Sequence, residues 1–439
     1  MVKGNVCMFV WSHFVGDARV MRVCSALGEA GYVVDLVAVH DFRDKGLERR
    51  EVFSDRFNVY RVNGRLPRVV GFPLEAIGSV WSVLLSSRLV FVLFLVAWSV
   101  AIFLYPIPAI VVLGMVLIFS VQKVRVGFLR GYIFLQMVWY GLGKRYDIYH
   151  SIGLSTLAQG VVCSKLKVVG KGRKRLIYDA YEVQAGRVDH VSWFHGRVEG
   201  FLVRFIDKMI SENHTRAAYT KELYGFYPEV VHNYPLPSRP ERILRVDLYK
   251  KLGISEDDPI LLYQGGMQVG RGLDKIVEAV TLFRKGVVVF IGDGEVKGEL
   301  EGKVVEMELG DRVKFVSEVT ADELMRYTTN GYLGFQVLNR GCFNHYSASS
   351  NKLFEYMMSG VPVIACSFPE IQRVVEKEKV GICVDFHSPE SIAEAVNFLI
   401  DHPRAREKMQ QNCFEARRHY NWEREKFGLL RIYGGLVPR

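Results

Sequence analysis

The residues best suited to chemistry fall in two short stretches. Gly265, Gly266, Gly270, Arg271 and Gly272 follow an apolar run at 261–264. Glycines there let backbone amides approach an anion, and Arg271 adds fixed positive charge. The turn Gly292-Asp293-Gly294 is a second, weaker signal of the same kind. The other stretch is 347–365. There Ser350 or a neighbour is expected to cap a helix whose first amides attract anions, Lys352 adds charge, and Gly360-Val361-Pro362 ends the helix before a buried strand. Glu355, one turn into that helix, could accept hydrogen bonds from a diol or could be a solvated helix residue.

Such loops need a scaffold that sets strand ends beside helix starts. The pattern from 260 onward supplies one, with strands expected at 260–264, 287–291, 313–316, 332–337 and 363–365. Helices are expected between and after them at 273–283, 295–305, 323–329, 351–359 and 389–399, a parallel-sheet rhythm. Upstream, a strand at 5–11, a helix at 17–30 and a strand at 32–39 open a doubly wound α/β domain, with the loop from Ser12 to Gly16 at its first turn. The rhythm resumes with a strand end at 147–150, a helix at 156–165, a strand at 175–179 and a helix around 198–206. Pro235, Pro237 and Pro240 mark a linker.

With 439 residues the chain is too long for one core, and its 49% hydrophobic content excludes a disordered, collagen-like or disulfide-built protein. The seven cysteines are scattered without metal-ligand spacing, so reduced thiols are expected. The formal charge of +10 comes with a basic run at 165–175 that lacks interleaved aromatics, which favours anionic lipid or a solvated loop over nucleic acid. No secretory signal is read at the N-terminus, and 436–439 reads as a tag remnant.

The least usual stretch is 76–122, where Arg88 is the sole charged residue. That length of apolar sequence reads as a membrane segment, and Pro106 and Pro108 divide it into a helical hairpin. The chain must return to the side it left, and Arg65, Arg68, Lys123, Arg125 and Arg130 flank the hairpin as expected at a cytoplasmic membrane face. A re-entrant hairpin is favoured over two spans. The aromatic stretch 127–142 is expected to lie in the interface.

YQGGMQVGRGL, SSNKLFEYMMSGVPVIAC and GICVDFHSPESIAEAV together resemble the donor half of family 4 glycosyltransferases of GT-B fold. The resemblance extends through DARVMRVCSALGEAGYVVDLVAV, DIYHSIGLSTL, LIYDAYE and VVHNYP. It implies an α/β chain of two Rossmann-like parallel-sheet domains facing a crevice. The division would be an acceptor-side domain at 1–237 carrying the insert at 72–142, a nucleotide-sugar-binding domain at 238–417, and a returning helix at 418–435.

By that resemblance Arg271 would meet the diphosphate and Glu355 the ribose hydroxyls. Asn351 and Lys352 would border the diphosphate, and Gly16, Gly265, Gly266, Gly292, Gly294, Ser350 and Leu353 would complete the donor site. Asp17 and His150 would join Arg271 and Glu355 in catalysis, while His13, Asp179, Tyr181 and Glu182 would face the acceptor. The family often has a carboxylate eight residues before Glu355, where this chain has Ser347; Ile152 and Tyr181 stand where many members carry histidine.

The activity implied is retaining transfer from a nucleoside-diphosphate sugar, UDP-linked before GDP-linked, without metal or other cofactor. The acceptor would be a lipid, with polyprenyl-phosphate-linked saccharide first, at the cytoplasmic face of the cell membrane among anionic lipids. A sugar-nucleotide 2-epimerase of the same fold and a non-catalytic sugar-nucleotide-binding membrane scaffold are the alternatives.

Overall fold

The computed structural model describes residues 2–44, 46–67, 121–166, 174–183, 192–238 and 243–436, with isolated positions between 92 and 107. The hairpin expected at 76–122 therefore lies outside the described residues almost entirely. Among the described residues no helix is long and apolar enough to cross a membrane. The chain divides into two compact units, 1–15 with 27–176 and 16–26 with 177–439.

In the first unit, β1 (Gly4–Val10), β2 (Tyr32–His40) and β5 (Ile148–Ile152) are parallel neighbours, with β1 in the middle. β4 (Phe57–Asn63) extends the sheet in parallel beyond β2, and β3 (Arg50–Ser54) closes that edge antiparallel. α1 (Ala18–Glu29) follows β1 in the chain, with its residues 18–26 in the second unit. The aromatic stretch is part of a 21-residue helix, α2 (Gln122–Leu142), which buries Ile133, Met137, Val138 and Gly141. Its outer face leaves Phe128, Leu135 and Trp139 exposed, the last at 83%. α3 (Leu154–Lys165) follows β5.

β6 (Arg175–Ala180) leads into the second unit. There β6, β7 (Lys208–Ser211) and β8 (Glu229–Val230) pair in parallel, with α4 (Ser192–Leu202) and α5 (His214–Tyr224) between them. A six-stranded sheet follows. Its strands are β9 (Ile260–Gln264), β10 (Val287–Ile291), β11 (Val313–Val316), β12 (Leu333–Gln336), β13 (Val363–Cys366) and β14 (Gly381–Val384), in the order β11-β10-β9-β12-β13-β14. All its pairings are parallel. Strands such as ILLYQ and VVVFI are buried at every residue because helices cover both faces. The helices are α6 (Leu248–Leu252), α7 (Leu273–Val280), α8 (Lys297–Glu306), α9 (Ala321–Thr328), α10 (Phe343–Tyr346), α11 (Asn351–Ser359), α12 (Pro369–Glu378), α13 (Pro389–Asp401), α14 (Pro403–Ala416) and α15 (Trp422–Gly434).

The strand order reverses direction between β9 and β12, so the loops after those two strands diverge and leave a crevice at their carboxyl ends. The seven cysteines are all free thiols. Leu436, the first residue of the expected tag remnant, is buried at 5% exposure, and 437–439 lie outside the described residues.

Candidate functional site

A cavity of about 740 Å³ opens at the switch point of the six-stranded sheet, within the range of small-ligand sites. Its floor comes from the loop after β9 (Gly265, Gln268, Arg271) and from the start of α11 (Ser350, Asn351, Lys352, Glu355). Asn344 and His345 of α10 add one wall, and Tyr181, Glu182, Glu212 and Arg216 another.

The loop after β9 is held by a second loop beneath it. Gly265 N donates to Ile291 O at 2.9 Å, Met267 N to Asp293 O at 2.9 Å, and Val296 N to Met267 O at 3.1 Å. A Cβ on Gly292 would sit 2.3 Å from Gly265 O, and one on Gly294 2.2 Å from Met267 O, so only glycine permits this approach. Gly292 and Gly294 thus shape the loop and do not line the cavity. Gly266 does not line it either, nor does Leu353, which is buried at 1% exposure.

The start of α11 departs from the expected cap. Ser350 occupies the N-cap position but makes no side-chain cap bond; its hydroxyl instead donates to Gln336 Oε1 at 2.8 Å. Gln336 is completely buried at the end of β12 and needs polar partners, so it outcompetes the helix amides for that hydroxyl. The first amides of α11 are thereby left for a ligand, with the positive end of the helix dipole behind them.

Lys352 sits at that helix start with 7% exposure. Its Nζ lies 3.5 Å from the Tyr263 hydroxyl and 4.9 Å above the Tyr263 ring. Burial first, and then the nearby Arg271, push its pKa down to about 7, against the pull of Glu355. The Arg271 guanidinium donates to Gln268 Oε1 at 3.4 Å. Glu355 is half-buried, not a solvated helix residue. Gln264 Nε2 donates to its Oε2 at 2.7 Å, and burial raises its pKa while that bond, Lys352 and Arg22 oppose the rise. Asn351 accepts from Asn233 Nδ2 at 3.0 Å, and Arg22 Nη2 donates to Asn233 Oδ1 at 2.5 Å.

Other candidates stand apart from the cavity lining. Asp179, at 3% exposure, is bound by Arg19 through contacts of 3.0 Å to each carboxylate oxygen. Asp17 Oδ1 accepts from Val20 N at 3.1 Å and so caps α1, and Gly16 before it takes a left-handed φ of 71°. In the first unit, His13 Nδ1 lies 2.9 Å from Val39 O, while His150 is wholly buried inside β5. Among the described residues no group of His, Cys, Asp or Glu could hold a metal ion.

Several lining residues were not anticipated. Arg216, at 5% exposure, donates through Nε to Ser347 Oγ at 3.2 Å, through Nη2 to Asn344 O at 3.1 Å, and through Nη1 to Tyr181 O and Glu212. Ser347 is therefore part of a buried network in the cavity wall. The local sequence carried one usable hint, the helix start S-E-N-H-T-R after a strand, in which Asn213 caps α5 by accepting from Arg216 N.

Comparison with known proteins bears on the same region. Residues 246–416 match the family Glycosyl transferases group 1. The D-inositol 3-phosphate glycosyltransferase of Xylanimonas cellulosilytica is 24% identical over 260 residues, which cover 56% of this chain and 61% of that protein. The GDP-mannose-dependent alpha-(1-6)-phosphatidylinositol monomannoside mannosyltransferase of Mycobacterium tuberculosis is 27% identical over 173 residues, 38% of this chain and 45% of that protein. The chain thus spans less than two thirds of the length of these relatives.

Solved structures align over nearly the full chain. Sucrose-phosphate synthase from Thermosynechococcus elongatus superposes with a TM-score of 0.67 at 16% identity, covering 99% of each chain. HepE of Anabaena in complex with UDP-glucose gives 0.67 at 13% identity, covering 98% of this chain and all of that one. These chains share two parallel-sheet Rossmann-like domains, the α/β arrangement called GT-B. The chain therefore has the GT-B fold, and its residues 246–416 match the model of the group 1 glycosyl transferases.

Proposed function

We propose that the chain is a retaining glycosyltransferase that takes a sugar from a nucleoside-diphosphate sugar. The observation that carries this reading is the buried, nearly partnerless Lys352 at an uncapped helix start, with Arg271 beside it and Glu355 one turn along. Burial and Arg271 outweigh the attraction of Glu355 on this cation, so a further anion beside it is favourable. A diphosphate supplies that anion, and a ribose diol suits the carboxylate. As the sugar leaves, negative charge develops on the diphosphate, and Arg271, Lys352 and the α11 amides are set to stabilise it. We assign transfer to these groups without metal or cofactor, with Gly265, Asn351 and the backbone of Ser350 completing the donor side. Tyr181 and Glu182 line the same cavity and are assigned to the acceptor side. Asp179 and Asp17 support them by fixing Arg19 and α1.

In this reading 1–237 form the acceptor-side domain, 238–417 the donor domain and 418–435 the returning helix. UDP-sugars are the favoured donors. Thermal stabilisation by a panel of UDP- and GDP-sugars tests the reading, because ligand binding raises the stability of the native state. Wild-type protein should be stabilised by at least one donor, and Arg271→Ala and Glu355→Ala should lose both stabilisation and turnover. Indifference of the wild type to every donor would sink it.

We further propose a lipid-linked acceptor at the cytoplasmic membrane face. Support comes from an apolar groove of about 860 Å³ along α2, lined by Leu66, Pro67, Phe128, Tyr132, Phe134 and Leu135. Lys123, Arg125 and Arg130 on the same helix suit anionic head groups. Co-sedimentation with vesicles containing phosphatidylglycerol is expected, and protein that stays in the supernatant at low salt would refute it.

A further inference from the structure

We propose that Gln264 and Thr328 are positioning residues that hold the Glu355 carboxylate toward the ribose of the bound nucleotide. The inference rests on the donor reading above and extends it to Gln264, which lines the cavity beside Glu355, and to Thr328, which does not line it.

Gln264 ends β9 with no exposure at all, a polar residue closing the apolar strand ILLYQ. Burial of an amide is tolerated only when both ends are hydrogen-bonded. Its Nε2 donates to Glu355 Oε2 at 2.7 Å, and its Oε1 accepts from Thr328 Oγ1 at 2.8 Å. Thr328 is the last residue of α9 and is itself buried at 1% exposure. The three residues form a relay running from α9 through β9 to α11.

The relay decides which way the amide points. Reversed, its oxygen would stand against a carboxylate oxygen at 2.7 Å, acceptor facing acceptor. The Thr328 proton disfavours that state by donating to the amide oxygen, although the Leu324 carbonyl at 2.9 Å competes for it. With Oε2 anchored to Gln264, Oε1 of Glu355 takes no hydrogen bond from the described residues, and Glu355 lines the cavity. One oxygen is tethered and the other is presented to the ligand. The same donated bond opposes the rise in pKa that burial imposes on Glu355.

The test separates positioning from packing. Dissociation constants for UDP, GDP and their 2′-deoxy counterparts are measured on the full chain as wild type, Thr328→Val and Thr328→Ser. Valine keeps the shape and removes the hydroxyl; serine restores it. Wild type should prefer the better ribonucleotide over its deoxy form by about tenfold, the worth of a charge-assisted hydrogen bond. Thr328→Val should reduce the preference to less than about threefold through loss of ribonucleotide affinity alone, and Thr328→Ser should retain it. Equal weakening of both forms would mean that Thr328 only packs, and an unchanged ratio would mean that it does nothing; either overturns the relay. A wild type that binds nucleotides without discriminating overturns the relay but leaves the donor reading standing, whereas one that binds none of the four removes both.

Discussion

Arg19, Arg216 and Lys352 are buried to nearly the same degree, at 9, 5 and 7% exposure, yet their surroundings differ completely. Arg19 is gripped by both oxygens of Asp179 and also donates to Val231 O at 3.2 Å. Arg216 reaches Glu212, Ser347, Asn344 and Tyr181 at once. Lys352 has a tyrosine hydroxyl at 3.5 Å and a ring face. The first two cations are struts whose hydrogen bonds close within the protein. The third is left open where the cavity meets a helix start. What a buried charge is for can be read from whether its partners are already present.

The largest test of that contrast is to remove a strut's partner. Asp179→Ala leaves Arg19 buried without its counter-charge, and unfolding in urea should show a loss of about 3–5 kcal/mol. A change below about 1 kcal/mol would mean that Arg19 finds water, and the distinction between strut and open cation would fail.

Lys352→Met should behave in the opposite way. The methionine removes a charge whose burial outweighs its attraction to Glu355, so the ligand-free protein should become more stable, while nucleotide affinity falls roughly 10- to 100-fold. Calorimetry of unfolding and of nucleotide binding reads both effects. A variant that loses stability as well would identify Lys352 as a strut after all.

The same lysine gives a pH signature. Its pKa in the folded, empty protein is depressed to about 7, so between that value and the ordinary lysine value the unfolded chain binds the extra proton. Lys352 therefore lowers stability most below pH 7, and stability should rise with pH through that window. Binding runs the other way, because a diphosphate needs the ammonium. Affinity should be flat below pH 7 and then fall by up to about tenfold per unit above it, until the raised pKa of the complex is reached. The slope should vanish in Lys352→Met.

How much of this was legible beforehand follows the same division. Arg271, Lys352 and Glu355 could be picked out because each lies in a local strand-loop-helix pattern, and strands 260–264 and 287–291 could be placed to the residue because a doubly covered parallel strand is a continuous apolar run. The antiparallel edge at Arg50–Ser54 could not, because REVFS is largely exposed and lacks that run. Neither could α14, whose face PRAREKMQQNCFEA buries only Cys413 and Ala416. The struts were hidden for a different reason. Arg19 meets Asp179 across 160 residues and Arg216 meets Ser347 across 131, so only the fold brings them together. Ser350 stands at the N-cap position of α11, as expected of it or a neighbour, but its hydroxyl is on Gln336, which a local cap motif does not reveal because Gln336 is fourteen residues away in another element.

Ser350 also provides the finest test. At an ordinary N-cap, replacing serine by alanine costs roughly 0.5–2 kcal/mol because a helix amide loses its acceptor. Here the hydroxyl serves Gln336, whose Nε2 already lacks a partner among the described residues, so Ser350→Ala leaves the α11 amides as they were and removes the amide oxygen's donor. The expected cost is about 1 kcal/mol, and the Ser350→Ala, Gln336→Leu double variant should recover most of it, since removing both partners relieves the unmet bond. Nucleotide affinity should change less than about threefold in Ser350→Ala, because the anion is held by amides and cations that do not depend on the hydroxyl. A loss near tenfold, with no recovery in the double variant, would move Ser350 from the supporting network to the ligand side of the contrast.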